Sequence, residues 1–185
     1  MQELVELAKA NPDKLNWAHF GPQSTGYLYA AWLKRGRDAP FYLVPYKSQQ
    51  QMLQALVVNE SNAGVFGVSN AMGHLKAGKL KALAVTSSKR LDWLPNVPTF
   101  EEAGIKLPLR AWFGFHAPAE VPRDIVTRLH GEMRKVLDDA AFRSTVMEKL
   151  ALAEGIAGRE EFDAYIRSQL KAAYELAAYI RLKPE

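Results

Sequence analysis

The 185 residues are 48% hydrophobic and 24% charged, with 12 glycines and 10 prolines, a profile that excludes disorder and leaves room for a packed apolar core. The formal net charge of +4 is modest and the basic residues are scattered, which argues against the cationic stripe that a nucleic-acid backbone requires. The chain has no cysteine, so disulfides, thiolate zinc sites and cysteine nucleophiles are excluded together.

The opening "MQELVELAKANPDK" reads as an amphipathic helix without the apolar block of a signal peptide. Short apolar runs then alternate with helical patterns. The runs "KLNWAHF" (14–20), "FYLVPY" (41–46), "NAGVFGV" (62–68) and "LKALAVTS" (80–87) predict strands, separated by helices over 24–37, 48–58 and 69–77. That order predicts an α/β fold with a mostly parallel sheet. In the helix over 48–58, Met52, Leu53, Leu56 and Val57 form one apolar stripe that Gln50, Gln51 and Gln54 avoid.

Prolines at 95, 98 and 108 make the following stretch a connector. Beyond it, "AWFGFHAP" (111–118) predicts a further strand, and Pro122 opens a helix whose Ile125, Val126, Leu129, Met133, Val136 and Leu137 share a face. The closing helix repeats Phe162, Ile166, Leu170, Ala173, Ala177 and Ile180 at helical spacing. One strand is too little for two such faces, so the core of 111–185 is expected to be incomplete. Charge divides similarly: residues 1–110 hold 13 Lys or Arg against 8 Asp or Glu, and residues 111–185 hold 11 against 12. The first segment is the better host for an anion.

The most informative local feature is "HFGPQSTGYL", where a strand end meets a glycine turn and Ser24 or Thr25 can cap a new helix. Unpaired N–H groups and the positive end of the helix dipole suit such a junction to a carboxylate or phosphate, with Gly21 allowing close approach. The same residues also serve as an ordinary cap. Two further junctions share the form: "VPYKSQQQ", with Ser48 as cap and Tyr46 beside it, and "GVSNAM", with Ser69 or Asn70 as cap. At the carboxyl ends of parallel strands, three such entrances would converge on one crevice.

Catalytic chemistry is poorly represented. The histidines at 19, 74, 116 and 130 have no zinc spacing, and "GHLKAGKL" lacks the features of a phosphate-binding loop. A triad of Ser24, His19 and Asp13 can be written down, which would make a small serine hydrolase, but no nucleophile elbow supports it. The chain is therefore read as a binding module and not an enzyme. An effector-sensing regulatory domain of similar fold is the alternative, although no helix-turn-helix is visible.

Taken together, "ELVELAKANPDKLNWA", "GPQSTGYL", "VPYKS", "HLKAGKLKALAVTSSKR", "LPNVPTFEEAG", "WFGFHAPAEVPRDIV" and "GREEFDAYI" resemble the substrate-binding receptors of tripartite tricarboxylate transporters, the Bug family. The resemblance runs almost end to end. It implies a periplasmic-binding-protein-like α/β fold that captures a small organic carboxylate in the periplasm, hands it to a membrane permease, and needs no cofactor or metal. It further implies that 1–110 is the ligand-binding lobe two with a connector, and 111–185 the C-terminal part of an incomplete lobe one, rich in helices. The first half of lobe one and the leader would then be missing, and two copies could associate to cover the incomplete lobe.

Carried over by residue, the resemblance places ligand contacts on Gly21, Gln23, Ser24 and Thr25, on Tyr46 and Ser48, and on Phe66, Gly67, Ser69 and Asn70. Three positions depart from the family pattern. Ser48 stands where a glycine commonly follows "PYK", Phe66 and Gly67 replace an Asp-Asn pair, and Tyr27 replaces a histidine. Phe66 and Tyr27 imply a more apolar crevice, suited to an aromatic or longer-chain carboxylate.

Overall fold

The structure is a computed structural model that describes residues 1–148, 150, 152 and 158–182. It opens with helix α1 (Gln2–Ala10), whose Val5 and Ala8 are buried. There follow β1 (Asn16–His19), α2 (Thr25–Arg37), β2 (Tyr42–Pro45), α3 (Gln49–Val57), β3 (Ala63–Gly64) and α4 (Val68–Lys76). The three strands form one parallel sheet in the order β2-β1-β3. This is the α/β arrangement that the alternating pattern predicts.

Strand β1 is central. Its Trp17, Ala18 and His19 are buried in succession, because a parallel strand covered on both faces has no solvent side to alternate toward. The core gathers Val5, Trp17, Tyr29, Leu33, Phe41, Phe100 and Ile105. Trp17 and Phe41 pack with ring centroids 4.9 Å apart. Tyr29 is fully buried, and its hydroxyl donates to the Leu109 carbonyl at 2.9 Å. Burial pushes that phenol well above the ordinary tyrosine range.

Two expected strands are not formed as such. Over 80–87 there is a single parallel bridge, Val85 with Thr99. Val85 donates to Pro98 O and accepts from Phe100 N, and a proline with no N–H cannot carry the ladder further. The run 62–68 is cut to Ala63–Gly64, paired with Trp17 and Ala18, and glycines at 64 and 67 weaken any longer strand.

The second unformed strand is 111–118, which lies against α7 (Arg159–Ile180) with no strand beside it among the described residues. Trp112 meets the rings of Phe162 and Tyr165 at 5.5 and 5.9 Å, and Gly114 lies directly under Phe162. The alternate side chains, Phe113 and Phe115, are 90% and 84% exposed. A strand needs a neighbour's hydrogen bonds, and none is available here.

After the connector comes α5 (Arg123–Asp138), then the short α6 (Ala140–Phe142) running into a π-helical turn, Arg143–Met147. No residue of α5 is buried, and Ile125, Leu129, Val136 and Leu137 of its apolar face are all exposed. Helix α7 packs instead on α2, with the Arg35 guanidinium 5.1 Å from the Tyr179 ring centre. Its buried residue is Leu176; Leu170 and Ala173, expected on the covered face, are exposed. No described helix is long and apolar enough to cross a membrane.

Candidate functional site

The sheet is parallel, so the carboxyl ends of β1, β2 and β3 lie along one edge. The register pairs His19 with Pro45 and Ala18 with Gly64. The chain leaves β1 toward β2 and then crosses back past β1 to β3, which makes the β1/β3 boundary a topological switch point, where open α/β sheets hold their ligands. The entrances to α2, α3 and α4 flank it.

At the first entrance, Ser24 caps α2. Its Oγ accepts from Tyr27 N at 3.4 Å and donates to Gly21 O at 2.7 Å, so the hydroxyl is committed to the turn. Gly21 holds a φ of +118° with open space where a side chain would stand, so its requirement for glycine is conformational. Thr25 and Gly26 are the first two helical residues, whose N–H groups have no partner within a helix. Phe20, Gly21, Pro22, Gln23 and Ser24 line an open depression of about 370 Å³.

The second entrance is capped by Ser48, which accepts from Gln51 N at 3.3 Å while Gln51 Oε1 accepts from Lys47 N at 3.1 Å. This is a variant of the capping box in which the Gln51 side chain reaches the N–H one residue ahead of the cap. Tyr46 N donates to His19 O at 2.7 Å, tying this loop to the end of β1. The Tyr46 hydroxyl is paired with the buried Ser61 at 3.0 Å, leaving the ring as the part that could face a ligand.

The third entrance differs from expectation. Gly67, not Ser69 or Asn70, is the N-cap of α4, and no side chain caps it. Helical geometry begins at Val68, ahead of the hydroxyl, so Ser69 already lies inside the first turn. Asn70 Nδ2 donates to Gln49 Oε1 at 2.6 Å and so joins the starts of α4 and α3.

Of the expected residues, the depression itself brings together Gly21, Gln23 and Ser24. Thr25 stands one residue deeper on α2. Tyr46, Ser48, Phe66, Gly67, Ser69 and Asn70 belong to the two adjoining entrances on the same edge and do not line it. The Ser24, His19, Asp13 triad is not assembled. Asp13 precedes β1 and pairs with Lys34 at 3.3 Å, while Ser24 follows the opposite end of that strand. Among the described residues no group of three or more His, Asp or Glu side chains could hold a metal.

Gly26, Gly64 and Trp17 contribute without a signal in the sequence, and His19 does so in a role other than triad base. Gly26 and Gly64 let the elements close up: a Cβ at Gly26 would meet Val65, Ala18 O and Trp17 Nε1 within 3.8 Å. Trp17 Nε1 is buried without a hydrogen-bond partner. His19 is buried at the end of β1, and its Nδ1 accepts from Gly21 N at 3.1 Å. Burial holds its imidazole below the ordinary histidine value. The arrangement offers a negative group backbone N–H donors and a helix dipole in aromatic surroundings.

Comparison with known proteins bears on the family and the fold. The model of the tripartite tricarboxylate transporter family receptor matches residues 1–172. A Cupriavidus necator protein encoded in the gbd 5′ region is 32% identical over 149 residues, covering 79% of this chain and 44% of its own length. Among solved structures, an adipate-bound protein of R. palustris superposes with a TM-score of 0.79 at 25% identity, covering 100% of this chain and 62% of its own. The periplasmic binding protein BugD gives 0.76 at 27% identity, with the same coverage. The chain thus spans about half the length of the curated relatives it matches.

Proposed function

The chain belongs to the tripartite tricarboxylate transporter receptor family, and from this premise we propose that it receives a small carboxylate at the carboxyl edge of its parallel sheet. One observation carries the reading. The strand order β2-β1-β3 sets the unpaired N–H groups of α2 beside the β1/β3 switch point, with the other two helix entrances alongside. The solute's negative group sits against Gly21, Ser24 and Thr25, and its body extends toward Gln23, Tyr46, Ser48, Phe66, Gly67, Ser69 and Asn70.

Phe20, Tyr27 and Phe66 give this edge an aromatic character, which favours a carboxylate with a long or aromatic body. Residues 1–110 act as the ligand lobe with its connector, and 111–185 contribute to a companion lobe. The work is periplasmic, as for BugD, and the partner is the membrane permease of a tripartite transporter. A second copy of the chain is the proposed cover for the exposed apolar side chains Phe113, Phe115, Ile125 and Leu129. Native mass spectrometry against a carboxylate library tests the binding and the stoichiometry together. A retained mono- or dicarboxylate supports the reading, and a library with no retained member contradicts it.

A further inference from the structure

His19 closes β1, is 5% exposed, and is fastened to both neighbouring loops. On one side Gly21 N donates to its Nδ1 at 3.1 Å. On the other, Tyr46 N donates to its carbonyl at 2.7 Å. The Tyr27 ring meets it edge-on, with centroids 5.1 Å apart. One residue therefore anchors the turn that precedes α2 and the turn that precedes α3.

A ring nitrogen that accepts an N–H carries no proton, so the imidazole here is the neutral tautomer with its hydrogen on Nε2. A proton at Nδ1 would set two donors against each other across that 3.1 Å gap, and the bond would be lost. Gly21 meets nothing within 4 Å where a side chain would stand; Ser24 N and Oγ close the turn on the Gly21 carbonyl at 3.1 and 2.7 Å, and the His19 bond is what ties the Gly21 amide back to β1. Tyr27 on α2 meets the ring, and the β2–α3 loop bonded to the His19 carbonyl carries Tyr46 and the exposed Lys47. Helix α3, packed on β1, and strand β3 contain no titratable residue. None of these neighbours is a carboxylate that would favour an imidazolium.

We propose that His19 is a positioning residue: in its neutral form it holds the Gly21 amide against the end of β1, in the orientation of the Phe20–Ser24 turn that receives a solute, and protonation of Nδ1 frees that amide. The consequence for solute capture rests on the receptor reading; the linkage between His19 and Gly21 stands apart from it.

The test uses the full chain, labelled with 15N, titrated between pH 8 and pH 5, with adipate as the probe for binding. Two variants accompany it. His19→Asn keeps a short acceptor that does not titrate, and His19→Leu removes the acceptor. The Gly21 amide resonance is expected to move with the same midpoint as the His19 ring nitrogens. Adipate affinity of the wild type should fall about tenfold across that midpoint, the equivalent of one lost hydrogen bond. His19→Asn should bind within about twofold of the neutral wild type and keep only the acid-end weakening that protonation of adipate itself imposes.

His19→Leu should bind about tenfold more weakly at pH 8. If that variant does not fold, the wild-type titration and His19→Asn decide alone. A Gly21 amide indifferent to the His19 titration overturns the proposal, as does a pH profile of adipate binding in His19→Asn identical to that of the wild type. A linked titration in a wild type that never binds adipate supports the positioning role and counts against the receptor reading.

Discussion

The ring of Phe66 rests on Gly64. A Cβ at Gly64 would come 2.9 Å from Phe66 Cε2, 3.1 Å from Cζ and 3.3 Å from the Ala18 carbonyl oxygen. The glycine thus lets β3 press against β1 while an aromatic ring covers the boundary between them. Gly64→Ala should displace the ring and cost about 1–3 kcal/mol by overpacking. Phe66→Ala should restore part of that loss in the double variant, since residues in contact are not additive. Denaturant unfolding of the four chains of the cycle measures the coupling, and strict additivity would show that the ring does not rest where described.

The two serine caps give a graded prediction. Ser24 and Ser48 each accept from a backbone N–H of the first helical turn, whereas Ser69 caps nothing. Ser24→Ala and Ser48→Ala should each lower stability by about 1 kcal/mol, and Ser69→Ala should stay within about 0.5 kcal/mol of the parent. Thermal unfolding checks the order. A cost at Ser69 equal to that at Ser24 would mean that α4 starts later than Gly67.

The connector contains a carboxylate whose ionisation is tied to folding. Glu102 accepts from Thr99 N at 2.8 Å, and its own N–H donates to Thr99 Oγ1 at 3.1 Å, while Arg90 Nε lies 2.9 and 3.1 Å from the two carboxylate oxygens. The Thr99 backbone bond first, and Arg90 second, hold this carboxyl below its ordinary value. A carboxyl depressed on folding contributes stability that is present above its unfolded pKa and lost as pH falls through the folded one. The stability gap between the wild type and Glu102→Gln should therefore be widest near neutrality and close under acid. Urea unfolding at a series of pH values tests this, and a gap that widens in acid would refute it.

Tyr46 separates ring from hydroxyl. Its hydroxyl is spent on the buried Ser61, so Tyr46→Phe should cost about 1–3 kcal/mol of stability by leaving Ser61 unpaired. Adipate affinity should be unchanged, whereas Tyr46→Ala should lower it. A loss of affinity in Tyr46→Phe equal to that in Tyr46→Ala would place the hydroxyl on the solute.

The elements that could be read directly from the residues are those set by local chemistry. The turn and cap of "GPQST" and the apolar stripe through Met52 and Leu53 carry their signals within a few residues, and α2 and α3 begin where Ser24 and Ser48 indicate. What could not be read depends on neighbours distant in the chain. Residues 80–87 and 111–118 have strand composition, but a strand exists only beside a partner; one meets Pro98 and the other has α7 on one side and open exposure on the other. The start of α4 lies ahead of the expected cap, because Ser69 carries a cap's chemistry from inside the first turn. His19 enters the sequence reading as a candidate triad base, and nothing local signals its hold on the two loops. Its contact with Gly21 arises from a turn geometry that only glycine at +118° allows, and its hold on Tyr46 from pairing between strands 26 residues apart in register.

The central claim, that three helix entrances on one sheet edge jointly receive a carboxylate, is tested most directly by mapping adipate onto the backbone amides of the 15N-labelled chain. Shifts that saturate together at Gly21, Thr25, Gly26 and Gly67, leaving the amides of α5 and α7 unmoved, are the predicted result. Saturable shifts confined to α5 or α7, with the amides of the sheet edge silent, would contradict the account.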